Sequence, residues 1–373
     1  MKPGFLEFFA GGGMARAGLG PGWECLFAND IDAKKAASYA GNWGAEAFRL
    51  GDVTALVPAE IPGRAALAWG SFPCQDLSLA GAGKGLGGAR SGTYFAFWRL
   101  LAGLAAEGRA PALVAVENVA GALTARGGAD FAAILDAFAA NGYRAGALVI
   151  DAAAFLPQSR PRLFVIGARE GVPLPVAAEP GAFHPPALLR AVAALPDALR
   201  AAHLLLRLPE PPRRNLTLSA VVEEGAEGWL PEAETARLLS LMAPRHRAVV
   251  EAAQGAGRMV HGCVFRRTRP VAGGGKAQRA EVRFDGLAGC LRTPGGGSSR
   301  QFLIEVEGAR VRARLMTARE AARLMGLPDD YILPARLNAA LHLAGDGVAP
   351  PVVRWLAAHL FEPALGLAPA RAA

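Results

Sequence analysis

A cysteine after a proline, a carboxylate ending an apolar strand and two arginines entering another are the residues best suited to chemistry. The cysteine lies in Gly70-Ser71-Phe72-Pro73-Cys74-Gln75, directly after an apolar run. A thiol at a strand-to-loop junction is well placed to attack a substrate as its thiolate. A lone cysteine is more often core filler. The glycines that follow (Gly81, Gly83, Gly85, Gly87, Gly88 and Gly92) favour the functional reading, because such a loop can close over a substrate. The carboxylate is Glu117, in Glu117-Asn118-Val119. After a buried strand it can be held protonated and act as an acid; the ordinary alternative is a solvated loop residue. The arginines lie in Gln158-Ser159-Arg160-Pro161-Arg162, before Leu163-Phe164-Val165-Ile166. Arginine is costly to bury unpaired, so each should meet a carboxylate or a polar ligand atom. The ordinary alternative is a structural ion pair, with Glu117 as a candidate partner.

A fourth stretch, Phe8-Phe9-Ala10-Gly11-Gly12-Gly13, joins a strand to a helix. Its glycines let the backbone turn tightly and approach a ligand. It does not fit the dinucleotide fingerprint, because Arg16 stands where the third glycine would be. Asp30 ends the next strand and could accept both hydroxyls of a ribose, or cap the following helix. Together these point to a nucleoside-containing cofactor.

The elements that must position these residues alternate in the first half. Short apolar runs at 5–9, 25–28, 67–69, 113–116, 147–150 and 163–166 read as strands; 31–43 and 131–140 read as helices. That alternation predicts a doubly wound α/β fold with a mostly parallel sheet, which binds ligands at the carboxyl ends of its strands. Prolines crowd 173–186 and 209–212 as breaks. The stretch 348–360, with Pro350-Pro351 near its start, reads as an amphipathic helix. The boundaries expected are 1–175, 176–312 and a returning segment 313–373.

Composition narrows the partners. Hydrophobic residues are 52% of the 373 and charged ones 19%, which excludes overall disorder. Apolar runs stop short of a membrane span, and Glu7 with the glycines interrupts the only stretch resembling an export signal. Four scattered cysteines without a CxxC pair argue against zinc and disulfides, and for a reducing cytoplasm. Net charge is +8, and the segment 245–314, with 14 basic against 5 acidic residues, carries the whole excess. A local +9 beside a neutral remainder favours a nucleic acid over a merely solvated face. Five lysines against 35 arginines fit a GC-rich bacterial or phage genome.

In their order these motifs resemble the DNA (cytosine-5)-methyltransferases. The matching blocks are Phe9-Ala10-Gly11, Asp30, Gly51-Asp52-Val53, Pro73-Cys74-Gln75, Glu117-Asn118-Val119 and Gln158-Ser159-Arg160-Pro161-Arg162. Arg319-Glu320-Ala321-Ala322-Arg323-Leu324-Met325-Gly326 and Gly345-Asp346-Gly347-Val348 follow. The resemblance spans roughly 5–168 and 310–360. The segment between stands where the family holds its target-recognition domain, expected here to be smaller and irregular beside a Rossmann-like methyltransferase domain.

The resemblance implies a mechanism. Cys74 would add to carbon 6 of a flipped-out cytosine, and carbon 5 would take the methyl of S-adenosylmethionine, leaving S-adenosylhomocysteine. Glu117 would protonate or hydrogen-bond ring nitrogen 3, and Arg162 would hold oxygen 2 and Glu117, with Arg160 nearby. Phe9 would lie against the adenine, Gly11 and Gly13 near the methionine part, Asp30 on the ribose and Asp52 on the adenine amino group. Ala10, Ile31 and Val53 belong to the same pocket, Pro73 and Tyr94 line it, and Asp346 and Val348 complete it. Gln75, Ser78, Arg266, Arg267, Arg269, Arg292 and Arg300 are the expected DNA contacts. Asp346 stands where asparagine is commoner, Cys290-Leu291 where Thr-Leu is usual, and Ala80 replaces a frequent hydroxyl. The expected partners are double-stranded DNA and a cognate restriction endonuclease, with no metal, no membrane and a monomeric cytoplasmic chain. The alternatives are an RNA (tRNA) methyltransferase of the same fold, a non-catalytic DNA-binding relative, and a nicotinamide dehydrogenase. Arg16 disfavours the last.

Overall fold

Apolar segments of the first half pair into one sheet. They are β1 (Gly4–Phe8), β2 (Glu24–Asp30), β3 (Phe48–Leu50), β4 (Leu67–Gly70), β5 (Leu113–Val119), β6 (Tyr143–Asp151) and β7 (Pro161–Arg169). The computed structural model describes residues 2–72, 92–211, 213–270, 274–293 and 300–368. Pro73, Cys74, Gln75, Ser78, Ala80 and the 295–297 glycines lie outside them. Within the described residues the strand order is β3-β2-β1-β4-β5-β7-β6. Neighbours are parallel except that β7 runs against both β5 and β6. The central strands are covered on both faces, which is why they read as unbroken apolar runs.

Among the described residues, α1 (Met14–Leu19), α2 (Ala33–Trp43), α3 (Gly92–Ala106) and α4 (Ala129–Ala140) flank the strands in the first half. The helix expected from 31 begins at Ala33, because the Asp32 side chain accepts the N–H groups of Lys34 and Lys35 and caps it. One apolar core joins Leu6, Phe8 and Val116 of the sheet to Phe97, Trp98 and Phe138 of the helices. Its aromatic rings meet edge to face, Phe8 on Phe97 at 5.2 Å and Trp98 on Phe138 at 4.8 Å. After β7 come α5 (Pro186–Ala193) and α6 (Asp197–Ala202).

A second compact unit comprises Ala152–Arg160 and Arg213–Gly347; the first comprises Met1–Asp151, Pro161–Pro212 and Val348–Ala373. These limits differ from the expected ones. The proline-rich stretch after 175 stays with the sheet: Leu188 and Leu195 sit in its core, and Leu204 bridges to Gly146 of β6. The stretch 313–347 belongs to the second unit.

That unit contains α7 (Leu218–Val221), α8 (Glu232–Ser240), α9 (Pro244–Gln254), β8 (Val260–Pro270), β9 (Lys276–Arg283), β10 (Gln301–Glu307), β11 (Arg310–Leu315), α10 (Ala318–Met325) and α11 (Leu337–Asp346). The segment expected to be irregular thus builds an antiparallel sheet of order β11-β10-β8-β9. Leu238 and Val250 of the helices pack with Val264, Ala280, Ile304 and Val306 on one of its faces.

The chain re-enters the first unit through α12 (Pro350–Leu356), continued by a wide π-helical turn, Ala357–Phe361, where one straight helix was expected. Arg354 donates to the Leu19 carbonyl at the end of α1, 2.6 Å away. Trp23 donates to Glu362, 3.2 Å away. Among the described residues no helix is long and apolar enough to cross a membrane.

Candidate active site

Glu117 and Arg162 come together at one edge of the first unit's sheet. Glu117 is the fifth residue of β5, 6% exposed. Arg162 is the second of β7 and pairs in register with Val119. Its motif precedes a strand, yet β7 is the reversed one, so its beginning lies at the carboxyl end of β5. Arg162 Nε lies 3.1 Å from Glu117 Oε1, with both side chains largely shielded. The ion pair fixes a carboxylate and a guanidinium as one polar unit at a sheet edge.

The strand carrying the cysteine motif ends at that same edge. β4 lies between β1 and β5, and Phe72 follows it immediately before Pro73-Cys74. Phe72 packs against Tyr94, ring centroids 4.6 Å apart. Its carbonyl accepts the Asn118 amide at 3.2 Å. Asn118 is 4% exposed and is the neighbour of Glu117, so the end of one strand holds the acid and tethers the residue leading into the cysteine. No role was assigned to Asn118 from sequence. The signal was there: an amide closing an apolar run must find hydrogen-bond partners where it is buried.

The turn after β1 and the end of β2 form the second part of the site. Asp30 is 8% exposed; its Oδ2 accepts the Gly11 N–H and its Oδ1 the Asp32 N–H, each at 2.8 Å. Asp32, rather than Asp30, caps α2. Phe9 has φ 58°, a left-handed conformation rare for a bulky residue and characteristic of functional turns. Ile31 is 68% exposed beside Asp30, and Leu50 at the end of β3 is 49% exposed. An adenosine fits this chemistry: apolar surface for a base, and a fixed carboxylate with lone pairs to spare for ribose hydroxyls.

Four expected pocket or catalytic residues are placed otherwise. Tyr94 is fully buried and donates its hydroxyl to the Ile134 carbonyl, so it packs the core instead of lining a pocket. Val53 is 3% exposed in the same core. A Cβ on Gly13 would stand 2.4 Å from Trp43 Nε1, so that glycine admits α2 instead of a ligand. Arg160 is 1% exposed in the second unit, where it donates to the carbonyls of Leu291 (2.9 Å), Gly345 (2.8 Å) and Gly347 (2.6 Å). Gln158 takes the Leu291 N–H and reaches the Leu324 carbonyl. Gln158 and Arg160 therefore staple the second unit, while Arg162 meets the acid.

The remaining candidates are scattered as follows. Ala10 and Val348 are buried, while Asp52 is exposed and caps the turn at Val53 through the Thr54 N–H. Asp346 is exposed at the end of α11. On β8, Arg267 and Arg269 share a face and both pair with Glu281. Arg266 points to the opposite, helix-covered face, its guanidinium 5.3 Å from the Phe302 ring centroid, which corrects the grouping of the three. Arg292 is exposed, and Arg300 is hydrogen-bonded to Asn338 of α11. Burial pushes the Cys25 thiol up to about 11 and raises that of Cys263 further, so neither is a ready nucleophile.

A profile of C-5 cytosine-specific DNA methylases matches residues 4–362. The chain belongs to that family. Type II methyltransferase M.BsuFI of Bacillus subtilis is 34% identical over 169 residues, which are 45% of this chain and 39% of that protein. Type II methyltransferase M.DsaV of Dactylococcopsis salina is 25% identical over 357 residues, 95% of this chain and 84% of its own length. The relatives of higher identity are thus spanned over only about half their length or less, 39% to 51%. The Dnmt2 methyltransferase of S. pombe shares the fold, with a TM-score of 0.60, 16% identity, and coverage of 97% of this chain and 99% of that one. The edge carrying Glu117 and Arg162 is therefore the candidate active site of a C-5 cytosine-specific DNA methylase.

Proposed function

We propose that this methylase transfers a methyl group from S-adenosylmethionine to carbon 5 of a cytosine flipped out of double-stranded DNA, through a covalent adduct on Cys74. The observation that carries this reading is the shielded Glu117–Arg162 pair at the sheet edge from which the Cys74 segment departs. Cytosine carbon 5 is a poor nucleophile. The Cys74 thiolate adds to carbon 6, which breaks the ring's aromaticity and makes carbon 5 enamine-like. Glu117 hydrogen-bonds ring nitrogen 3 as charge develops there, and Arg162 holds Glu117 and ring oxygen 2. Asn118 positions the chain entering Pro73-Cys74. S-adenosylmethionine supplies an electrophilic methyl group on a cationic sulfur. Phe9, Gly11, Asp30, Ile31 and Asp52 would hold it. A base then takes the carbon 5 proton, and the Cys74 sulfur leaves with its electron pair.

The second unit acts as the target-recognition domain, with Arg267, Arg269, Arg292 and Arg300 as DNA contacts and Gln75 and Ser78 beside the base. The DNA methylase profile and the charge concentrated in 245–314 support DNA over RNA. The Type II relatives support a bacterial or phage setting with a cognate restriction endonuclease. Bisulfite sequencing of DNA from cells expressing the protein, with labelled-methyl transfer to duplex DNA and tRNA in parallel, tests all of this. The expected result is 5-methylcytosine at one short DNA sequence. Labelling of tRNA alone would replace the substrate, and labelling of neither would remove the activity.

A further inference from the structure

Glu7 is a carboxylate in the middle of the first unit's sheet that the chemistry above does not use. It lies on β1 between Ala28 of β2 and Trp69 of β4, and is 1% exposed. Its Oε1 accepts the Arg16 N–H at 3.3 Å, and the Ala15 N–H faces the same carboxyl. Those are second- and third-position donors of α1, whose own cap residue is Gly13 and has no side chain to satisfy them. Its Oε2 is buried with no hydrogen-bond partner among the described residues. The turn Gly11–Gly13 is thus pinned at both ends, by Asp30 on the Gly11 N–H and by Glu7 on the start of α1.

We propose that Glu7 is a positioning residue for the cofactor: from beneath the turn it fixes where Gly11–Gly13 lie, and its protonation is linked to cofactor binding. This rests on the assignment of that turn to S-adenosylmethionine. Burial pushes the Glu7 carboxyl up to about 8, against the Arg16 and Ala15 donors, with Asp30 adding to the rise. The ionisable groups facing it are Arg16 from α1, Cys25 and Asp30 from β2, and Tyr39 from α2; Trp69 from β4 carries no charge. A neutral Glu7 still accepts from α1 through its carbonyl oxygen. An ionised one accepts more strongly and places a negative charge under a site for a cationic sulfonium.

Calorimetric titration of S-adenosylmethionine into wild type, Glu7→Gln and Glu7→Leu tests this, with amide hydrogen exchange on the cofactor-free proteins. Glu7→Leu leaves the α1 donors buried without an acceptor, and its affinity should fall by about tenfold while the protein stays folded. Exchange at Ala15 and Arg16 should speed up in the same variant. Glu7→Gln keeps an acceptor and should retain most affinity at about pH 7. Wild-type affinity should rise from about pH 7 to about pH 9, and that of Glu7→Gln should stay flat. Neutral S-adenosylhomocysteine should gain less than the sulfonium in wild type. Unchanged affinity and exchange in a folded Glu7→Leu, or identical pH profiles for wild type and Glu7→Gln, would overturn the proposal. Failure of wild type itself to bind the cofactor overturns the reading of the site as well. Should Glu7→Leu not fold, the Glu7→Gln profile alone decides.

Discussion

Arg160 and Arg162 stand two residues apart, and their surroundings give them different work. Arg162 meets Glu117 at 3.1 Å, whereas Arg160 spends its donors on carbonyls of the second unit. Glu117→Gln keeps the shape of the pair and removes the charge. Turnover should fall by roughly 10²–10⁴ with DNA affinity little changed, and single-turnover kinetics beside a binding titration would show the split. Arg160→Met should instead strand buried carbonyls and lower unfolding stability by about 3–5 kcal/mol in urea. Cys74 can be tested by trapping. DNA carrying 5-fluorocytosine at the methylated site should give a complex that survives a denaturing gel with wild type and disappears with Cys74→Ala. An equal complex from the variant would shift attention to Cys290. Glu7 makes a separate prediction for the fold. Its folded value near 8 lies above its ordinary 4.5, so the stability it contributes is complete below about 4.5 and is lost as pH rises through about 8. Glu7→Gln should flatten that decline in melting temperature.

Among the elements, what was legible in the sequence follows from how each one is buried. Strands β4, β5 and β7 are covered on both faces, so their apolar runs announced them. The reversal of β7 was not legible, because strand direction depends on the length and path of the connection and leaves no periodic mark. Nor was the sheet of the second unit. Val264 of β8 faces its core, but Arg267 and Arg269 lie on the other face of the same strand, and a charge count reads such a strand as a basic stretch. The split of Gln158-Ser159-Arg160 from Pro161-Arg162 was hidden for the same reason: it depends on partners more than a hundred residues away. The faces of β8 yield a prediction about charge. Glu281 is shared by Arg267 and Arg269, so the trio carries one net positive charge. Arg267→Ala should reduce the slope of log DNA affinity against log salt by about 1, and Glu281→Gln should steepen it by about the same. Arg266→Ala should leave the slope unchanged, because Arg266 lies on the helix-covered face. Equal slopes for all three variants would move the phosphate contacts away from this strand.

For the whole molecule, each unit is assembled from distant pieces of chain. The first unit uses the beginning, a middle stretch and the end: strands β1 to β7 are complete by Arg169, and the last stretch adds helices against them. Arg354 holds the end of α1 through the Leu19 carbonyl, and Trp23 and Glu362 close the same seam. Because α1 carries the turn assigned to the cofactor, the seam at the far end of the sequence sets the site at its start. Gly18 is where the two helices meet. A Cβ there would stand 2.4 Å from Val353 Cβ and 2.6 Å from the Pro350 carbonyl oxygen, and a backbone atom cannot swing aside as a side-chain tip can. Gly18→Ala should therefore separate α1 from α12, even though alanine is the better helix former. The overpacking should cost about 1–3 kcal/mol by chemical denaturation. If α12 acts only as a distant buttress, cofactor affinity in the folded variant will match wild type. If it sets the position of α1, affinity should fall together with stability, and the companion change Val353→Gly, which removes the Cβ that the new methyl meets, should restore part of both relative to Val353→Gly alone. Rescue of stability without rescue of affinity would show that the two helices are merely packed together.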